Sequence, residues 1–155
     1  MIFAKANGLK GDGVTDDYTA LNTLLVSIGS VKKEIYLSSG TYIIGTNIII
    51  PSNIKLIFAN GAMLSANIGV TVTFNGVIEA GIYQVFTGAG TISGTPICRE
   101  VYPEWFGAIG NAVANDAAPI QKAINMIGVN GGIVRFSSKI KPNQTLLYFY
   151  YTLTS

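Results

Sequence analysis

The sequence predicts an all-β protein wound as a β-solenoid, with a short helix closing its start and a second short helix near residues 116–128. Three observations predict this. The chain carries one pattern twice, and a repeat of this length sets an architecture. Between the copies run short β-branched and aromatic segments, punctuated by glycine and asparagine. Each copy also holds one stretch with helical apolar spacing.

The first copy opens with Gly8-Leu9-Lys10-Gly11-Asp12-Gly13-Val14-Thr15-Asp16-Asp17 and later reads Glu34-Ile35-Tyr36-Leu37-Ser38-Ser39. The second opens with Gly107-Ala108-Ile109-Gly110-Asn111-Ala112-Val113-Ala114-Asn115-Asp116 and later reads Ile133-Val134-Arg135-Phe136-Ser137-Ser138. A single offset of 99 positions aligns them without a gap. Gly8/Gly107, Gly11/Gly110, Val14/Val113, Asp17/Asp116, Gly29/Gly128 and Ser38/Ser137 are identical pairs. Asn111 and Asn115 stand where the first copy has Asp12 and Asp16, so the second copy reads as a degraded version.

Leu21, Leu24, Leu25 and Ile28 fall at i, i+3, i+4 and i+7, and Ile120, Ala123, Ile124 and Ile127 repeat that spacing. Both sets predict short helices with one buried face. Thr15, Asp16 and Asp17 are N-cap residue types, as are Asn115 and Asp116. Pro119 suits a first helical turn, and Gly29 and Gly128 suit C-terminal stops. The first helix is expected to cover the open end of the solenoid, since a bare end invites aggregation.

Ile43-Ile44, Ile48–Ile50, Ile54–Phe58, Val70–Phe74, Val77-Ile78 and Tyr83–Phe86 read as strands. Apolar residues alternate in Ile54-Leu56-Phe58 and Val70-Val72-Phe74, which puts them on one face. Gly and Asn at the joints supply tight turns. Intervals of 16 positions from Ile54 to Val70 and 13 from Val70 to Tyr83 suggest small successive coils. The recurrent asparagines are expected to stack as ladders.

Bulk properties narrow the function. The chain has 155 residues, 12% charged and 49% hydrophobic, with 18 glycines. That is too apolar for disorder. A net charge of +2 spread along the chain lacks the basic stripe of a nucleic-acid binder. No run reaches the length of a membrane-spanning helix, and Met1–Lys5 does not open a secretion signal. The absence of histidine removes Ser-His and Cys-His nucleophile pairs from this chain. Cys98 is a lone thiol, read as a small buried hydrophobe. No cofactor and no metal ligand set is expected.

Gly11, Asp12, Gly13, Thr15, Asp16 and Asp17 form the one acidic motif. It reads as a structural cap, with negative charge favoured at a helix start. A Ca²⁺ loop or a glycosidase acid pair needs other spacing. Lys55, Arg99 and Arg135 are read as solvated surface charges, and Glu79 is the one acid between Glu34 and Glu100. Tyr102, Trp105 and Phe106 are candidates for stacking on sugar rings, or for anchoring a linker on a core. Tyr148–Tyr151 is a β-prone stretch that suits burial against a partner chain, and Asn143-Gln144-Thr145 matches a glycosylation sequon.

The string from Gly11 to Asp17, followed by Ala20-Leu21 and Ser39-Gly40-Thr41-Tyr42, resembles the N-terminal opening of the pectate-lyase-like superfamily. Val101-Tyr102-Pro103-Glu104-Trp105-Phe106-Gly107-Ala108 resembles the linker before such openings in phage tail-spike and bacterial surface proteins. The resemblance covers residues 4–138 and implies a right-handed parallel β-helix. It also implies polysaccharide as a partner, and a homo-oligomer, often a trimer. Residues 1–100 would hold the capping helix and a short β-helix. Residues 101–155 would hold a linker, the second cap motif and an aromatic strand.

The expected function is a non-catalytic structural or adhesion module, located on a virion or at the cell surface. The alternatives are a polysaccharide lyase or glycoside hydrolase fragment whose groove is missing or formed between subunits, and a relic without activity.

Overall fold

The computed structural model describes residues 1–98, 100–111, 113–127 and 132–137. The Tyr148–Tyr151 stretch, the sequon at Asn143, Arg99 and the Gly128 stop lie outside the described residues. The chain begins with β1 (Ile2–Phe3), a 3-10 turn (Lys5–Asn7), β2 (Asp12–Asp16) and α1 (Tyr18–Ile28). Nine strands follow: β3 (Lys33–Leu37), β4 (Gly40–Ile44), β5 (Ile48–Ile50), β6 (Ile54–Phe58), β7 (Ala62–Ala66), β8 (Thr71–Phe74), β9 (Val77–Glu79), β10 (Phe86–Thr87) and β11 (Thr91–Gly94). Then come β12 (Glu100–Val101), a second 3-10 turn (Pro103–Phe106), α2 (Ala117–Ile127) and β13 (Ile133–Val134).

The described residues are mostly strands with two helices, an all-β organisation whose strand pairs are all parallel. The sheet orders are β1-β3-β6-β9, β2-β4-β7-β10 and β5-β8-β11, with a separate β12-β13 pair. Three consecutive strands thus give one to each sheet, and the next three stack on them. Parallel pairing between such strands needs a long connection, which here is the other two sheets.

Lys33 pairs with Ile54, and Lys55 with Val77, so successive layers are 21 and 22 residues apart. The shorter intervals expected from the sequence are therefore corrected. Ile54 and Val72 belong to two sheets of one layer, not to successive coils.

The interior is built from columns of aligned side chains. Ile35, Leu56 and Ile78 share one register and are 0%, 0% and 5% exposed. Tyr42, Leu64 and Phe86 form a second column, and Ile50 with Phe74 a third. Each such side chain gains about 1.5–3 kcal/mol from leaving water. Phe86 also meets Phe58 and Phe74 edge to face, at 5.7 and 5.4 Å.

Leu21, Leu24 and Leu25 bring the buried face of α1 into the same core. Gly29 closes that helix, its N–H reaching the carbonyls of Leu25 and Val26. Val101, Trp105, Phe106, Ala123 and Met126 extend the core into the second copy. Pro119 sits in the first turn of α2.

The asparagines do not pair with one another as the ladder expectation held. Asn53 Nδ2 donates to the carbonyls of Gly29 and Val31, and Asn47 Oδ1 accepts from Thr71 N–H. Each ties its own turn to the backbone of an adjacent one.

Candidate functional site

The acidic motif folds as a closed loop running through β2 into α1. Asp17 is 1% exposed, and its carboxylate accepts from the backbone N–H groups of Lys10 (2.5 Å) and Gly11 (3.0 Å). Asp12 accepts from the N–H groups of Val14 and Thr15 and from the Thr15 hydroxyl. Asp16 accepts from Tyr18 N–H at the helix start and from Gly45 N–H on the next turn. The capping expectation is thereby corrected in detail: Asp17 holds the N-cap position without a side-chain capping bond, and Asp16 reaches the helix instead. Backbone hydrogen bonds from Thr15 and Val14 lower the Asp12 carboxyl to about 2.

Gly11 has a positive φ of 57°, and a side chain there would strike the Tyr42 ring. Its carbonyl accepts from Thr41 N–H. At Gly40, φ 141°, a Cβ would lie 2.2 Å from that same carbonyl oxygen. Both sites therefore demand glycine.

The second copy repeats these bonds at the same offset. Asp116 accepts from Ile109 and Gly110 N–H (2.9 and 2.8 Å). Asn111 Oδ1 accepts from Val113 and Ala114, and Asn115 Oδ1 from Ala117. α2 begins and ends 99 positions after α1. The pairing of Val101 with Val134 matches that of Ile2 with Ile35. The second loop keeps the local backbone bonds, because an asparagine carbonyl oxygen accepts from backbone N–H as a carboxylate does, but Ala114 cannot supply the hydroxyl bond that Thr15 gives Asp12.

On the outer face of the β1-β3-β6-β9 sheet, Lys55 Nζ pairs with Glu34 at 3.4 Å and closely with Glu79. The bond to Glu79 first, then the charges of both acids, raise the lysine pKa. Sequence reasoning read Lys55 as a solvated charge with no carboxylate near it along the chain. Its partners lie on the layers before and after, more than twenty positions away. Phe3 and Tyr36 stand beside this row, with ring centroids 5.6 Å apart.

Tyr102, Trp105 and Phe106 anchor rather than present themselves. Trp105 is 2% and Phe106 8% exposed, so neither ring face is open to a sugar, and the stacking expectation is corrected for both. Trp105 Nε1 donates to the Gly81 carbonyl, and its own carbonyl accepts from Val85 N–H. Tyr102 is half-buried and donates to Glu100, which also binds Arg135. Its hydroxyl pKa is raised, first by that bond to Glu100.

Sequence reasoning missed one group. Both carboxylate oxygens of Glu104 are buried without a hydrogen-bond partner. The residue is 9% exposed and lines a cleft of about 420 Å³ between the Ile82–Gln84 segment and the second loop. No charge pattern in the sequence marked it, because its burial arises from packing two distant segments together. Elsewhere, Cys98 is half-buried, and burial raises its thiol pKa. Among the described residues no group of three or more His, Cys, Asp or Glu is placed to hold a metal ion.

The family model for rhamnogalacturonase A/epimerase, pectate lyase-like, matches residues 2–101. A Penicillium expansum protein described as a non-secreted LysM effector, LysM19, is 30% identical over 116 residues, covering 68% of this chain. The chain spans only 9% of that relative's length. No solved structure matches the chain.

Proposed function

Because the chain belongs to the rhamnogalacturonase A/epimerase, pectate lyase-like family, we propose that it is a non-catalytic right-handed parallel β-helix module. It would serve structure or adhesion in a phage tail-spike or cell-surface, polysaccharide-associated protein. The observation that carries this reading is how the chain spends its acids. Of its 8 Asp and Glu residues, Asp12, Asp16, Asp17 and Asp116 bind backbone N–H groups. Glu34, Glu79 and Glu100 bind cations, and Glu104 is buried. Glycoside hydrolysis instead needs two carboxylates poised on either side of one bond.

A screen of acidic and neutral polysaccharides tests it, scoring binding by co-sedimentation and turnover by new reducing ends or unsaturated products. Binding without turnover supports the module, whereas product that depends on a named carboxylate overturns it. Self-association as a trimer, and a place on a virion or cell surface, belong to the same proposal.

One observation favours the alternative, a lyase or hydrolase fragment. Glu34 and Glu79 sit on layers either side of Lys55, where an acid pair on a sheet face would lie. Product formation abolished by both Glu34→Gln and Glu79→Gln would establish it.

A further inference from the structure

We propose that the cleft along the outer flank of α1 binds a short stretch of a neutral glycan, held by the hydroxyls of Thr19, Thr23 and Ser27 beside Asn7 and Asp16. The inference rests on the polysaccharide reading and deepens it by naming a ligand class and a site.

The cleft has a volume of about 390 Å³, and Ala20 and Leu24 complete its lining. That size lies within the roughly 300–1,000 Å³ of small-ligand sites. Thr19, Thr23 and Ser27 stand at i, i+4 and i+8 of α1, so they share one face of the helix. Each step rises about 6 Å along the axis, close to the length of one hexose in an extended chain. A hydroxyl donates one hydrogen bond and accepts others, which suits the mixed donors and acceptors of a sugar.

The remaining polar groups are already fixed. Asn7 Nδ2 donates to the Phe3 carbonyl at 2.9 Å. Asp16 is held by the N–H groups of Tyr18 and Gly45. Ser27 Oγ donates to the Leu24 carbonyl, and its lone pairs accept. No Lys or Arg lines the cleft. An acidic sugar would therefore meet the Asp16 carboxylate with no counter-charge, and like charges set together are repelled.

The repeat shows that this lining is particular to the first copy. At the offset of 99, Asn7, Thr19, Thr23 and Ser27 become Phe106, Ala118, Lys122 and Met126. Phe106 and Met126 are 8% and 1% exposed, so the second copy uses these positions for its core. The two loops keep their backbone bonds, yet the helix flanks diverge from packing to hydroxyls. Threonine and serine are poorer helix formers than alanine, so α1 carries its hydroxyl row at a cost that α2 avoids at Ala118.

The test uses the full chain and tetramers of glucose, mannose, galactose, galacturonate and glucosamine. Each is titrated while methyl NMR and thermal unfolding are read. One variant combines Thr19→Ala with Thr23→Ala, which removes two hydroxyls and leaves better helix formers. The other, Thr23→Lys, installs the residue that α2 carries at Lys122. At least one neutral tetramer should bind and shift the methyl signals of Thr19, Ala20, Thr23 and Leu24. The galacturonate tetramer should bind at least ten-fold more weakly. Both variants should weaken the neutral tetramer ten-fold or more, and the double variant should unfold no earlier than the native chain.

Undiminished binding by both variants, or shifts confined to another face, overturns this site and leaves the module reading standing. Tighter binding of glucosamine or galacturonate than of every neutral tetramer overturns the ligand class. Failure of all five tetramers overturns this proposal alone if larger polysaccharides still co-sediment with the chain, and removes the polysaccharide reading with it if they do not.

Discussion

Phe106 lies against Phe86 with ring centroids 5.2 Å apart and planes tilted by 34°. Phe86 belongs to the last layer of the first stack, and Phe106 ends the 3-10 turn that leads into the second copy. The second copy is thus seated on the end of the first by an aromatic contact. The first copy has Asn7 at the position equivalent to Phe106.

Truncating that contact should be costly. Phe106→Ala is expected to lower stability by about 3–5 kcal/mol, the range for deleting a buried aromatic ring. Denaturant unfolding measures it, and a loss below about 1 kcal/mol would show the joint to be loosely packed.

Asp17→Ala should cost more than an ordinary helix cap, which is worth about 1 kcal/mol. It strands the part-buried N–H of Lys10 and the buried N–H of Gly11, and bonds to a charged acceptor contribute about 1.5–3 kcal/mol. A loss of about 3 kcal/mol is expected. Asp12→Asn should be close to neutral by comparison, because Asn111 already makes the matching backbone bonds in the second loop. Equal losses for the two variants would contradict this bonding scheme.

Acid should loosen the first loop by way of Asp12. Its folded pKa, about 2, lies below the model-compound value of 3.8. The stabilisation is therefore complete above pH 3.8 and declines as pH falls through 2. A carboxyl titration followed by NMR should show a midpoint near 2, and Asp12→Asn should remove that transition. A midpoint at 3.8 would mean that the Val14 and Thr15 bonds are absent in solution.

Lys55→Met should lower stability by less than about 1 kcal/mol, since partly exposed ion pairs contribute little. The effect should shrink further in 1 M salt, where the screening length is about 3 Å. Thermal unfolding at low and high salt checks both statements. A salt-independent loss would point to the lysine stem packing on Tyr36 or Ile57 instead.

Much of this was legible in the sequence because it depends on local alternation. Ile54, Leu56 and Phe58 point inward as their spacing requires, and α1 buries the leucines its periodicity marked. β7 (Ala62–Ala66) was missed because Ala, Met and Ser carry no strand signal, although Ala62, Leu64 and Ala66 are all buried. β2 was missed because Gly13 and its two aspartates read as a turn. Glu34 and Glu79 meet around Lys55 only through the layer spacing, which the sequence intervals misjudged. The burial of Trp105 and the isolation of Glu104 arise from contact with Gly81–Val85, and no local pattern encodes that.

The matched loops at Asp17 and Asp116 bear on how such a chain can lengthen. Each loop fastens its own helix with bonds drawn from within its own dozen residues. Extra layers inserted between the two would disturb neither fastening. The number of strand layers between the two loops is therefore free to change while each helix keeps its own fastening, and reach can evolve apart from stability.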